Sequence, residues 1–200
     1  MSLNLDSLDI KTVSYNDIRP KLMTGWSVLW SGKNAVSKLI RLFSEFSHAS
    51  LLVRINNYSS LENRVFLIEA ISSGLRLTLM SERVKNYSSD IYLFKPEELD
   101  RTSSEAILYY ALIECAKLKK YDYGSLFANI FGRVPLSAKS YFCSEFVWSC
   151  YLAASLTYKN EQAPRPDDII NWLPGTLYKL EVPAEKVKTT NTYIEEDIKC

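Results

Sequence analysis

The stretch AKSYFCSEFVWSC, residues 138–150, decides how this chain is read. It places Cys143 at the head of an apolar run, YFCSEFVWSCYLAASL (141–156), with the length and spacing of a helix. A sulfur at a helix start lies at the positive end of the macrodipole, among N–H groups without an intrahelical acceptor. There a thiol is drawn toward thiolate. Val147, Cys150, Tyr151 and Ala154 follow on roughly one stripe with Cys143, so the cysteine begins the inward face of the expected helix. Two uses fit such a residue: a small apolar core side chain, or a nucleophile. A nucleophile here has one imidazole to serve it, His48 in EFSHASLLV, because the chain has one histidine.

His48 opens HASLLVRI (48–55), which is rich in strand-favouring residues. Turn-like NNYSSLEN (56–63) follows, then a second strand, RVFLIEA (64–70), which carries Glu69 near its end. A symmetric antiparallel hairpin between them pairs residues whose numbers sum to about 117 and sets His48 opposite Glu69. A one-residue slip would put them on opposite faces. In that register the Glu69 carboxylate can hold one ring nitrogen and leave the other to take a proton from a thiol. The competing uses are a strand histidine satisfied locally and an acid emerging at a strand end. Thiol, imidazole and orienting carboxylate together make the nucleophile–base–orienter set of acyl transfer. The backbone N–H of Cys143 is the natural first oxyanion donor. Tyr121, Tyr123 and Tyr141 are polar aromatics for which packing is the competing role.

Working outward, Trp26–Trp30 reads as a strand after the turn-like MTG, and NAVSKLIRLF (34–43) as a helix. LRLTLM (75–80) alternates like a strand, and IYLFKP (91–96) is a strand stopped by Pro96. SSEAILYYALIECAKLKK (103–120) is the clearest helix, with serines at its start, Glu105 in the expected first turn and lysines at its end. YDYGSLFANIFGRVP (121–135) is aromatic and Gly-broken, hence loop or short turns. APRPDDIINWL (163–173) reads as a short helix whose start Asp167 and Asp168 stabilise, and TLYKLEV (176–182) as a last strand. The pattern predicts an α+β fold with a mostly antiparallel sheet packed against helices. One domain over residues 1–200 is expected, with a core at about 20–182 and a polar tail at 183–200.

The 200 residues are 47% hydrophobic and 24% charged, enough apolar material for a sizeable core. A net charge of +1 gives no argument for a nucleic-acid partner. The N-terminal MSLNLDSLDIKTVSYNDIRP lacks a basic start followed by an apolar core, and no apolar run approaches the ~18–20 residues of a membrane span. The expected setting is the cytoplasm, or the host cytoplasm for a viral or phage product. Cys115, Cys143, Cys150 and Cys200 form no CxxC pair. With one histidine they make a poor zinc set, so free thiols and no metal or other cofactor are expected.

Taken in order, these pieces resemble a known family. A Ser-His strand, a strand ending in IEA before a Gly, YDYG, YFCSEFV and PRPDDI follow the order of the permuted NlpC-like, YiiX-like cysteine hydrolases of the papain fold. The resemblance covers roughly residues 20–175 and implies a circularly permuted papain-like fold, which accounts for the His, acid, Cys order. It implies Cys143 as nucleophile, His48 as general base and Glu69 as the residue that orients His48. TGWSVLW corresponds to the family's first strand, with Gly25–Trp26 where Gly-Asp is common. Glu145 reads as a first-turn acid, Ser144 as structural, and Lys33, Lys38 and Arg41 as solvated surface.

The resemblance implies hydrolysis of an amide, as a peptidase or amidase. Two alternatives stay open. One is a thiol acyltransferase or lipid esterase of the lecithin-retinol acyltransferase-like type, with TGWSVLW and LIRLFSEF facing an acyl lipid and peripheral membrane contact. The other is a non-enzymatic binding module on the same fold. Oligomeric state is not legible.

Overall fold

The computed structural model describes residues 5–32, 44–55, 61, 63–71, 74–117, 143–158 and 163–181. Its centre is a seven-stranded sheet built from β1 (Lys11–Val13), β2 (Ser27–Trp30), β3 (His48–Val53), β4 (Phe66–Ile71), β5 (Gly74–Leu79), β6 (Ile91–Pro96) and β7 (Gly175–Leu180). The spatial order is β1-β7-β6-β2-β3-β4-β5, and every pairing is antiparallel except β1 with β7. Five α-helices lie among the described residues: α1 (Tyr15–Ile18), α2 (Met80–Lys85), α3 (Arg101–Ala116), α4 (Cys143–Ala153) and α5 (Asp168–Trp172). This is the expected α+β architecture with a mostly antiparallel sheet.

The central strands are mostly apolar because both sheet faces are covered. All four residues of β2 are buried, and in β3 only His48 is partly exposed. α4 packs on β3 and β4 and also against α3. That sandwiched position replaces the expected single stripe: eight of its eleven residues are buried, from Cys143 to Tyr151. α4 closes at Ser155, which takes a positive φ of 57°. α3 begins at Arg101 rather than at the serines. Asp100 caps it, accepting from the Ser103 N–H at 2.7 Å, while Ser103 Oγ accepts from the Asp100 N–H at 2.9 Å. Glu105 therefore falls beyond the first turn.

Several boundaries differ from expectation. β2 starts at Ser27, one residue late, because Gly25 adopts a φ of +99° in front of it. A Cβ at Gly25 would sit 2.7 Å from Leu99 Cδ1 and 2.9 Å from Ile107 Cδ1, so α3 packs where a side chain would stand. The alternating run through Met80 divides: β5 ends at Leu79, and Met80 opens α2 with its side chain in the core. The short β1 and α1 were not anticipated. Trp26 and Trp30 are 3% and 1% exposed, so TGWSVLW is core and presents no face to a lipid. The helix expected at 34–43, the aromatic segment 121–135 and the tail 183–200 lie outside the described residues.

Candidate active site

Sheet register decides which side chains meet. β3 pairs with β4 as Ser50↔Glu69, Leu51↔Ile68, Leu52↔Leu67 and Val53↔Phe66, so paired numbers sum to about 119 rather than about 117. The shift of two residues corrects the predicted partner: Ser50, not His48, lies directly across from Glu69. Side chains alternate with a period of two, so His48 stays on the same face, one diagonal step away. Its Nε2 lies 3.2 Å from Glu69 Oε1. The pairings Trp30↔His48 and Val28↔Ser50 bring Trp30 onto that face as well.

Glu69 is 3% exposed and its carboxylate is fully engaged. Oε1 receives the Ser50 hydroxyl at 3.0 Å and Arg83 Nε at 3.3 Å in addition to His48. Oε2 receives the Thr78 hydroxyl at 3.1 Å. Burial would push this acid up; the hydrogen bond from His48 and the Arg83 charge outweigh it and hold the carboxyl down at about 2. Glu69 is therefore an anion throughout the neutral range.

Cys143 is the first residue of α4 and is 4% exposed. Its thiol and the His48 imidazole are hydrogen-bonded neighbours. With Nε2 turned to Glu69, the ring nitrogen left for sulfur is Nδ1. The β3–β4 ladder begins only at Ser50, and the N–H of Ala49 hydrogen-bonds the sulfur, as does that of Ser144 in the first turn of α4. Burial opposes a thiolate here, but the His48 charge and these hydrogen bonds lower the thiol below its ordinary value. Burial likewise opposes an imidazolium, yet Cys143 and Glu69 together raise His48 to about 9. Thiol down and imidazole up are the directions that favour a thiolate–imidazolium pair.

The other described cysteines, Cys115 and Cys150, differ. Cys150 is fully buried in α4, and burial pushes its thiol well up. Cys115 is pushed up by burial to about 11. Glu145 is the first-turn acid of α4 and is buried; the Ser144 hydroxyl donates to the Pro164 carbonyl at 2.6 Å. Asp167 departs from its expected role. It precedes α5 but makes no side-chain cap there. Its carboxylate reaches across to the segment entering β3, accepting from Ser44 Oγ at 2.6 Å, Glu45 N at 2.9 Å and Phe46 N at 3.2 Å. Asp168 does serve its own helix start, accepting from the Arg165 N–H at 2.8 Å.

Sequence reasoning missed Ser50, Thr78, Trp30 and Arg83. The period-two pattern carries a signal for the first: Ser50 is two residues from His48, on the same face. Arg83 carries none, because α2 brings it in from outside the hairpin.

A helix-borne thiol set against a strand-borne imidazole, on an antiparallel sheet and with the histidine preceding the cysteine, is the arrangement of a permuted papain-like enzyme. The family described as "Permuted papain-like amidase enzyme, YaeF/YiiX, C92 family" matches residues 23–169, and the chain belongs to it. That family is one of papain-like amidase enzymes. Five chains of solved structures match. One, the crystal structure of the metalloprotein yiiX from Escherichia coli O157:H7, is 22% identical with a TM-score of 0.52. The match spans 66% of this chain and 66% of that one, and the likeness is one of fold. Comparison with curated proteins returns no match. That neighbour is described as a metalloprotein; among the described residues here, no group of three or more His, Cys, Asp or Glu is arranged to hold a metal ion. No helix among them is long and apolar enough to cross a membrane.

Proposed function

We propose that the enzyme hydrolyses an amide bond through a Cys143–His48–Glu69 site and a covalent acyl-enzyme. The observation that carries this reading is the row from thiol to imidazole to carboxylate, with His48 Nε2 3.2 Å from Glu69 Oε1 and the other ring nitrogen left for Cys143. Cys143 thiolate attacks the amide carbonyl carbon, and the carbonyl π electrons move onto oxygen. The Cys143 backbone N–H, at the start of α4, serves as the first donor to the developing oxyanion. His48 imidazolium gives its Nδ1 proton to the amide nitrogen, the C–N bond breaks and the amine leaves. The neutral imidazole then takes a proton from water, hydroxide oxygen bonds to the acyl carbon, and the C–S bond breaks to return thiolate. Glu69 stays ionised throughout and holds the ring in place. Substrate is a peptide or other amide, met in the cytoplasm.

The test is labelling with a thiol-directed acyl-amide probe. Wild type and Cys150→Ala should label equally, and Cys143→Ala should not label at all. Equal labelling of Cys143→Ala would remove the nucleophile assignment. Running a thioester lipid probe beside the amide ranks amide against acyl-lipid chemistry.

A further inference from the structure

Arg83 stands outside the hairpin yet closes a ring around the acid of the site. Its Nε is 3.3 Å from Glu69 Oε1, the same oxygen that holds His48. Its guanidinium lies 5.0 Å from the centroid of the Trp30 ring and 5.8 Å from that of Tyr87, and those two rings meet edge to face at 4.7 Å. Trp30 in turn donates from Nε1 to Ser50 Oγ at 2.6 Å, and Ser50 donates to Glu69 Oε1 at 3.0 Å. Two arms thus start from one indole and converge on one carboxylate oxygen: through the ring face to Arg83, and through the ring nitrogen to Ser50. Trp30 is also the β2 residue paired with His48. Ser50 and Thr78 also hold the carboxylate, but as neutral hydroxyls; Arg83 adds a charged, planar guanidinium clamped over an aromatic face.

We propose that Arg83 is a positioning residue of the site: stacked on Trp30, it locks Glu69 so that the carboxylate holds His48 Nε2 and aims the other ring nitrogen at Cys143. The proposal rests on the triad reading above. Misplacing a catalytic group by about 1 Å can cost on the order of 100-fold in rate, so the effect should be measurable.

The experiment is a double-mutant cycle read by the rate of Cys143 alkylation with iodoacetamide, on the full chain, with near-UV circular dichroism recorded on each variant. Arg83→Met keeps the stem over Trp30 and removes the charge and the donors. It should slow alkylation by about 10-fold or more. Arg83→Lys keeps the charge without the planar fork and should fall between wild type and Arg83→Met. In a Glu69→Gln background, Arg83→Met should cause no further slowing, because Arg83 acts only through that acid. Equal slowing in both backgrounds, or none in either, overturns the proposal. A wild-type rate for Glu69→Gln alone would instead sink the triad reading. If Arg83→Met loses its near-UV signal, the same cycle run with Arg83→Lys decides in the same way.

Discussion

At the scale of single residues, the chain's single histidine makes the site unusually easy to follow. His48 is held at about 9 by Cys143 and Glu69 against the opposing effect of burial. Replacing Glu69 with Gln removes the anion that favours imidazolium, so the His48 pKa should fall below 9. The thiolate loses part of its partner, so the Cys143 inflection should rise. The pH range of the pair thus narrows from both sides. Imidazole titration by NMR reads the first change without assignment ambiguity, and iodoacetamide alkylation against pH reads the second. Turnover should drop by about 100- to 10,000-fold, the range expected when an orienting acid is neutralised. At this scale much was legible in advance. Cys143 stands out by its helix start, His48 by being alone, and Glu69 by a hairpin whose parity survives a register error of two. The donors that lock Glu69 were not legible, because Thr78 and Arg83 arrive from β5 and α2 and a single strand pairing says nothing of third elements.

At the scale of elements, the segment before β3 is pinned from the far end of the chain. Asp167 is 6% exposed and takes three donors from Ser44, Glu45 and Phe46, just upstream of His48. Its place in PRPDDI suggested a first-turn acid stabilising the start of a short helix, as acids there favour the dipole. The structure shows why that fails: the carboxylate is needed by orphan N–H groups more than 120 residues away, as the Glu45 bond spans 122 positions. Asp167→Ala should leave those donors unsatisfied and cost about 1.5–3 kcal/mol of stability. Urea unfolding measures it, and the midpoint should shift without a change of slope. The central strands β2, β3, β4 and β6 were readable from their composition because they are buried on both faces. α2 was not, because its first residue, Met80, extends the apolar run of β5 and its six residues are too few to show a helical period.

At the scale of the whole molecule, the site makes the fold sensitive to acid. Glu69 is depressed to about 2 in the folded state against an ordinary value of about 4.3 in the unfolded chain. Its stabilisation is therefore complete above about pH 4.3 and is lost as pH falls toward 2. Between those values the unfolded chain binds the extra proton, so stability should climb with pH in wild type and climb less in Glu69→Gln. Denaturant unfolding at a series of pH values checks the slope. The general architecture was foreseeable from the order of strands and helices, whereas the outermost strand was not: three residues, Lys11–Val13, carry too little pattern to announce a strand.

That strand has a mechanical consequence. β1 runs parallel to β7, with Lys11, Thr12 and Val13 beside Tyr178, Lys179 and Leu180, and Glu181 N–H donates to the Val13 carbonyl at 2.9 Å. Tension applied through the chain before β1 and after β7 pulls the two strands lengthwise in opposite directions. Their hydrogen bonds are then loaded in shear, all together, instead of parting one at a time as in an unzipped hairpin. A three-residue edge strand that adds little burial thus acts as a tether, making the ends of the sheet the part of the fold that resists stretching first.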